Sequence, residues 1–132
     1  DALMATAVDE MIRWVSPVRH FMRTATADTL VGEKEIRQGE SAILWYPSAN
    51  RDESVFDQPF EFRVDRSDAR QIAFGFGAHV CLGQHLARME MASLFKAMFE
   101  KIDFIEVNGE PKYTQSTFVG GLKSLPIAYQ AK

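Results

Sequence analysis

The 132-residue sequence predicts an α+β fold built from two principal helices, small antiparallel sheets and one long ordered coil. Three patterns carry that reading. Apolar residues recur at helical spacing near the start and again after residue 82; short extended runs with glycine turns lie between and after them; and residues 47–73 hold no period yet keep Phe56, Phe60 and Phe62. With 46% hydrophobic and 25% charged residues, the composition is that of an ordinary globular protein able to bury a sizeable core. A net charge of −3 argues against a nucleic-acid partner or an anionic membrane surface. No apolar run approaches the ~20 residues that span a bilayer, and no signal peptide opens the chain. The chain starts at Asp1 with a helical pattern under way by Leu3, so residues 1–132 read as a single partial domain of a longer chain. The lack of an anchor therefore says nothing about the parent.

Met4, Val8, Met11, Ile12 and Val15 share one helical face, which predicts a helix over 2–15. Pro17 ends it, because proline pushes Ser16 out of the helical region. Strands are predicted at 23–27, 29–31 and 41–46, with Gly32 and the Gln38-Gly39 pair at the turns. A coil of the length of 47–73 is uncommon unless functional or disordered, and its aromatics favour an ordered coil pinned by side chains. The second helix spans 82–100, with Leu86, Met89, Leu94, Phe95, Met98 and Phe99 among its apolar positions. Strands follow at 104–107, 118–119 and 125–129, with Asn108-Gly109 as a turn.

The most informative segment runs from Phe74 to Gly83. Gly75, Gly77 and Gly83 let the backbone make turns and approach a flat partner closely. Cys81, the only cysteine, stands where this loop meets the long helix, and unpaired N–H groups there favour a thiolate. Such a thiolate suits a soft metal. Two other readings stay open on position alone: a packing cysteine, and a nucleophile beside His79. Structural zinc is disfavoured, because a closed site needs about four ligands and the remaining candidates are His20, His79 and His85.

The run FGFGAHVCLGQHLAR resembles the haem-binding signature of cytochrome P450 enzymes, Phe-x-x-Gly-x-(Arg or His)-x-Cys-x-Gly. Phe74, Gly77, His79, Cys81 and Gly83 fill its fixed positions. Glu10-Met11-Ile12-Arg13 matches the family's Glu-x-x-Arg helix, and Ser16-Pro17-Val18 the turn after it. Ala49-Asn50-Arg51-Asp52, then Phe56, Pro59, Phe62 and Arg66, resemble the segment called the meander. The resemblance covers almost the whole chain and implies the C-terminal, haem-binding portion of a mainly α enzyme.

On that resemblance Cys81 is the proximal ligand of a haem b iron, a thiolate that pushes electron density onto the metal. Ala73, Phe74, Gly75, Leu82, Gly83 and Ala87 would line the cofactor, while Arg23 and His79 would meet its propionates. Glu10 and Arg13 stand three apart, opposite the apolar stripe, so pattern alone makes them an exposed pair; the family instead buries them against an arginine at the place of Arg66. Val18, Phe21, Phe118 and Val119 match segments that line a substrate pocket. The implied parent is a cytoplasmic bacterial monooxygenase acting on a sterol, terpene or alkyl chain. Its electrons come from NAD(P)H through a ferredoxin-type partner that docks near Arg88, with Arg70 and Lys96 adding positive charge. No Ala-Gly-x-x-Thr pattern of the family's oxygen-activating helix occurs here, so the isolated chain is expected to be inactive and to self-associate through uncovered apolar surface.

Overall fold

The computed structural model describes residues 3–66 and 70–132. Helix α1 (Met4–Val15) turns Val8 and Ile12 inward, where they pack with Ala73 and against Met4, Phe74, Met91 and Ala92. Its end is set by Ser16, held in the left-handed region at φ 40° ahead of Pro17. The Ser16 N–H donates to the Ile12 carbonyl at 2.9 Å and its hydroxyl to the Arg13 carbonyl at 2.8 Å, so the turn satisfies carbonyls that the finished helix leaves open.

Strand β1 (His20–Thr24) pairs antiparallel with β4 (Ser41–Trp45), placing Arg23 opposite Ala42. The first strand thus begins three residues before the predicted 23–27, because Arg19 already joins the ladder through the Tyr46 N–H and Ala25 is taken by the turn at Gly39 and Glu40. Between them β2 (Thr29–Val31) and β3 (Lys34–Ile36) form a hairpin across Gly32, whose φ of 60° suits the tight turn. The patternless stretch after β4 opens with a short helix, α2 (Tyr46–Ala49), carrying Pro47 in its first turn. The coil beyond it is ordered by hydrogen bonds from arginines, described below.

A single 3-10 turn (Gly77–His79) precedes the long helix α3 (Gln84–Lys101), which starts two residues later than predicted. Strands β5 (Ile102–Val107) and β8 (Ile127–Ala131) form one antiparallel pair, and β6 (Lys112–Tyr113) and β7 (Leu122–Ser124) another. Phe118-Val119 is not a strand: Val119 makes only an isolated bridge to Val18, flanked by Arg19 N–H to Phe118 O at 2.9 Å and Gly120 N–H to Pro17 O at 2.7 Å. The core is small. Among the described residues the buried apolar side chains are Val8, Ile12, Tyr46, Phe56 and Ala73, whereas Leu86, Met89, Leu94 and Phe99 of α3 are exposed.

Candidate functional site

Two clusters make up the candidate site. The first is ionic. Glu10 and Arg13 do not form an exposed pair: their side chains are 1% and 0% exposed. Arg13 donates from Nε to Glu10 Oε2 at 2.6 Å and from Nη2 to Oε1 at 2.8 Å, a two-pronged contact that matches the fork of the guanidinium to the carboxylate. Arg66, 7% exposed, adds Nε to Glu10 Oε2 at 3.2 Å, and the Arg63 backbone N–H donates to Oε1 at 2.8 Å. Burial pushes the Glu10 carboxyl up, but the bonds from Arg13 and Arg63 and the charges of Arg13 and Arg66 outweigh it, holding the group below its ordinary value.

The remaining donors of these arginines organise the coil. Arg13 Nη1 reaches the carbonyls of Asn50 (2.6 Å) and Pro59 (2.9 Å), and Arg66 reaches those of Asp57 (2.6 Å), Gln58 and Glu61. Two side chains thereby satisfy five carbonyls of a segment that has no ladder of its own. Both guanidinium groups also lie over the Phe56 ring, Arg13 at 5.3 Å and Arg66 at 5.9 Å. Arg51 stacks on Trp14 at 5.1 Å, and burial with the neighbouring charge of Arg13 lowers its pKa.

The second cluster is the cysteine loop. Gly75 and Gly77 adopt φ of 76° and 73°, conformations open to glycine and strained for other residues. The loop closes on itself through the Cys81 N–H, which donates to the Phe74 carbonyl at 2.8 Å. Cys81 itself is exposed and free, and a Cβ on Gly83 would stand 4.0 Å from its sulfur, in ordinary contact with it. Leu82 is 99% exposed and Phe76 86%, so the loop that carries the thiol presents two apolar side chains to solvent. Ala73 is buried, Phe74, Gly75 and Ala87 are half-buried, and His79 is exposed. Arg23 is half-buried on β1, its Nη1 donating to the Met22 carbonyl at 3.0 Å. No hydrogen bond joins Arg23 or His79 to Cys81 among the described residues.

The structure does bring Val18, Phe21, Phe118 and Val119 together. The Val18–Val119 bridge sits beside an edge-to-face contact of Phe21 and Phe118 at 5.6 Å, and His20 packs between Trp45 (4.9 Å) and Phe118 (5.7 Å). Tyr46 extends this aromatic group through Phe21 at 6.0 Å.

The family profile described as Cytochrome P450 matches residues 2–131. The chain belongs to the cytochrome P450 family, whose cofactor is haem. Cytochrome P450-terp of a Pseudomonas species is 48% identical over 128 residues, which are 97% of this chain and 30% of that protein. The steroid C26-monooxygenase of Mycolicibacterium smegmatis is 40% identical over 129 residues, 96% of this chain and 32% of that protein. The crystal structure of CYP108D1 from Novosphingobium aromaticivorans superposes with a TM-score of 0.94 at 46% identity, covering 99% of this chain and 32% of that one. The P450 chain described here thus spans about a third of the length of the relatives it matches.

Two residues of this P450 segment have roles that the sequence reading did not assign. Asn50, fully buried, donates from Nδ2 to Ser16 Oγ and accepts the Ile72 N–H at Oδ1, both at 2.8 Å, tying the end of α1 to the segment that leads into the cysteine loop. Its sequence signals are its place in the Ala49-Asn50-Arg51-Asp52 run and the proline-started helical turn that it closes. Asp9, on the polar side of α1, pairs with Arg88 across to α3 at 2.8 Å, a contact between residues 79 apart in sequence. No helix among the described residues is long and apolar enough to cross a membrane.

Proposed function

We propose that Cys81 is the proximal thiolate ligand of a haem b iron, and that residues 1–132 are the C-terminal haem-binding portion of a longer haem-thiolate monooxygenase. One observation carries the reading: a lone exposed thiol stands at the end of a glycine-turned loop that also exposes Phe76 and Leu82. Among the described residues no three His, Cys, Asp or Glu side chains gather to hold a bare ion. A single thiolate therefore fits a metal that arrives with its other ligands attached, as iron does in a porphyrin.

When bound, the haem supplies activation of O2 for insertion of one oxygen atom into a C–H bond of a hydrophobic substrate. The protein's part is positioning. The Phe74 carbonyl fixes the Cys81 backbone, and Gly83 adjoins the sulfur without a side chain of its own. Leu82, Ala87 and Gly75 would border the ring, and Arg23 and His79 would offer cations to the propionates, whereas Ala73 is packed in the core against Val8 and Ile12. Val18, Phe21, Phe118 and Val119 present an apolar, aromatic wall to a sterol, terpene or alkyl chain; the steroid oxidised by one relative, by its name, belongs to that class. Glu10, Arg13 and Arg66 hold the coil and take no part in the chemistry. Electrons come from NAD(P)H through a ferredoxin-type partner at the face around Arg88, in a cytoplasmic setting.

A second reading concerns the segment by itself: bound haem or not, it turns over no substrate. The exposed apolar positions of α3 and the span of a third of the relatives' length favour it. The deciding experiment is the absorption spectrum of the reduced, haem-loaded protein under carbon monoxide. A strongly red-shifted Soret band that Cys81→Ser abolishes is the expected result, whereas a band that survives the substitution overturns the ligand assignment. Substrate-dependent oxidation with added electrons then separates a working segment from an inert one.

A further inference from the structure

We infer that Arg88 is a positioning residue for the cysteine loop, clamping Phe74 from behind and so setting the electronic state in which the Cys81 sulfur is held. The inference rests on the reading of Cys81 as iron ligand. Its guanidinium is engaged from three sides. Nε donates to Asp9 Oδ1 on α1 at 2.8 Å; Nη1 donates to Gln84 Oε1 at 3.2 Å and to the Gln84 carbonyl at 3.3 Å in the first turn of α3; and Cζ lies 4.8 Å from the centre of the Phe74 ring. The pair is about one-quarter to one-third exposed, enough burial for the stacking and ion pair to reinforce one another.

Asp9 grips the same segment a second time. Its Oδ1 also accepts from Gln71 Nε2 at 3.5 Å, and Gln71 Oε1 accepts the Ala73 N–H at 2.7 Å. The chain is therefore held both just before Phe74 and at its ring, and the Phe74 carbonyl carries that constraint to Cys81 through the 2.8 Å bond from the Cys81 N–H. A guanidinium engaged in this way holds the loop from within the face at which a redox partner would dock. Lysine would keep the ion pair with Asp9 but lose the flat face that stacks on the ring.

The test uses the parent enzyme carrying this segment, with Arg88→Ala, Arg88→Lys and Asp9→Asn. In the haem-loaded protein, Arg88→Ala should shift the iron reduction potential and raise the share of the reduced carbon monoxide complex that lacks the thiolate band. Asp9→Asn should move both in the same direction, and Arg88→Lys should fall between wild type and alanine. In the haem-free protein, hydrogen exchange at the Cys81 amide should quicken about fivefold in Arg88→Ala, the loosening expected when one stacked cation and its ion pair are lost. The Arg63 amide, bonded to Glu10, should stay at its wild-type rate. The inference is overturned if potential, band share and Cys81 amide all keep wild-type values while only ferredoxin affinity or melting temperature changes. A wild-type protein without the thiolate band instead sinks the ligand reading, and the amide measurement then still decides the clamp. Should the alanine variant not fold, the lysine and asparagine variants carry the comparison.

Discussion

At the scale of single residues, the Glu10–Arg13–Arg66 group decides most. Charges of both signs are withdrawn from water there, a state that survives only because every donor and acceptor has a partner. Among the described residues no buried side-chain nitrogen or oxygen lacks a hydrogen bond. Removing one partner is therefore far costlier than the ~0.2–0.5 kcal/mol of an exposed helix pair. Arg13→Met should destabilise the fold by about 3–5 kcal/mol, since it strands the Glu10 carboxylate and frees the carbonyls of Asn50 and Pro59. Chemical denaturation of the parent enzyme measures it, and a loss below about 1 kcal/mol would contradict the network's weight. The pH dependence has a definite sign. Because the folded Glu10 pKa lies below its unfolded value, the stabilisation is complete above that ordinary value, about 4.3, and fades as pH falls through the lower folded value. The stability gap between wild type and Glu10→Gln should accordingly hold steady from pH 7 to 5 and narrow below 4.

At the scale of elements, the cysteine loop depends on backbone shape. Gly75 combines a φ of 76° with a Tyr46 hydroxyl only 3.2 Å from where a Cβ would stand. Gly75→Ala should cost about 1–2 kcal/mol in left-handed strain, with the Tyr46 ring adding to it by having to give way. Gly77 has the same backbone but nothing within 4 Å, so Gly77→Ala should show the strain alone; thermal unfolding of the two variants tests the difference. This contrast also marks how far the sequence could be read. Helices α1 and α3 were visible as periodicity, strands β2, β4, β5 and β8 as extended runs between turn residues, and the loop glycines as turn chemistry. Strands β3 and β6, three and two residues long, carry no period to detect, and α2 was hidden in a stretch without one although Pro47 signals its first turn. The burial of Glu10 was invisible to amphipathicity for a different reason: its partner Arg66 lies 56 residues away, and a helical wheel registers only the helix's own residues.

At the scale of the whole molecule, the surface is too large for the mass. A monomer of 14.9 kDa typically exposes about 7,000 Å², whereas this chain exposes 9898 Å². The surplus is apolar in places that matter. Helix α3 has no buried residue over its 18 positions, and Leu3, Phe95 and Phe99 border a groove of about 690 Å³ between α1 and α3. Hydrophobic surface of this extent drives association when nothing covers it. A 132-residue protein made alone should thus sediment as oligomers or aggregates and unfold with low cooperativity, while the same residues within the parent enzyme should unfold with the rest of it. Replacing Leu94 and Phe99 by glutamate, both exposed, should lower the apparent size of the isolated chain without touching the Glu10 network. Sedimentation velocity over a range of concentrations separates the outcomes. A compact monomer at every concentration would mean that α3 needs no cover, and the segment would then be a self-sufficient domain.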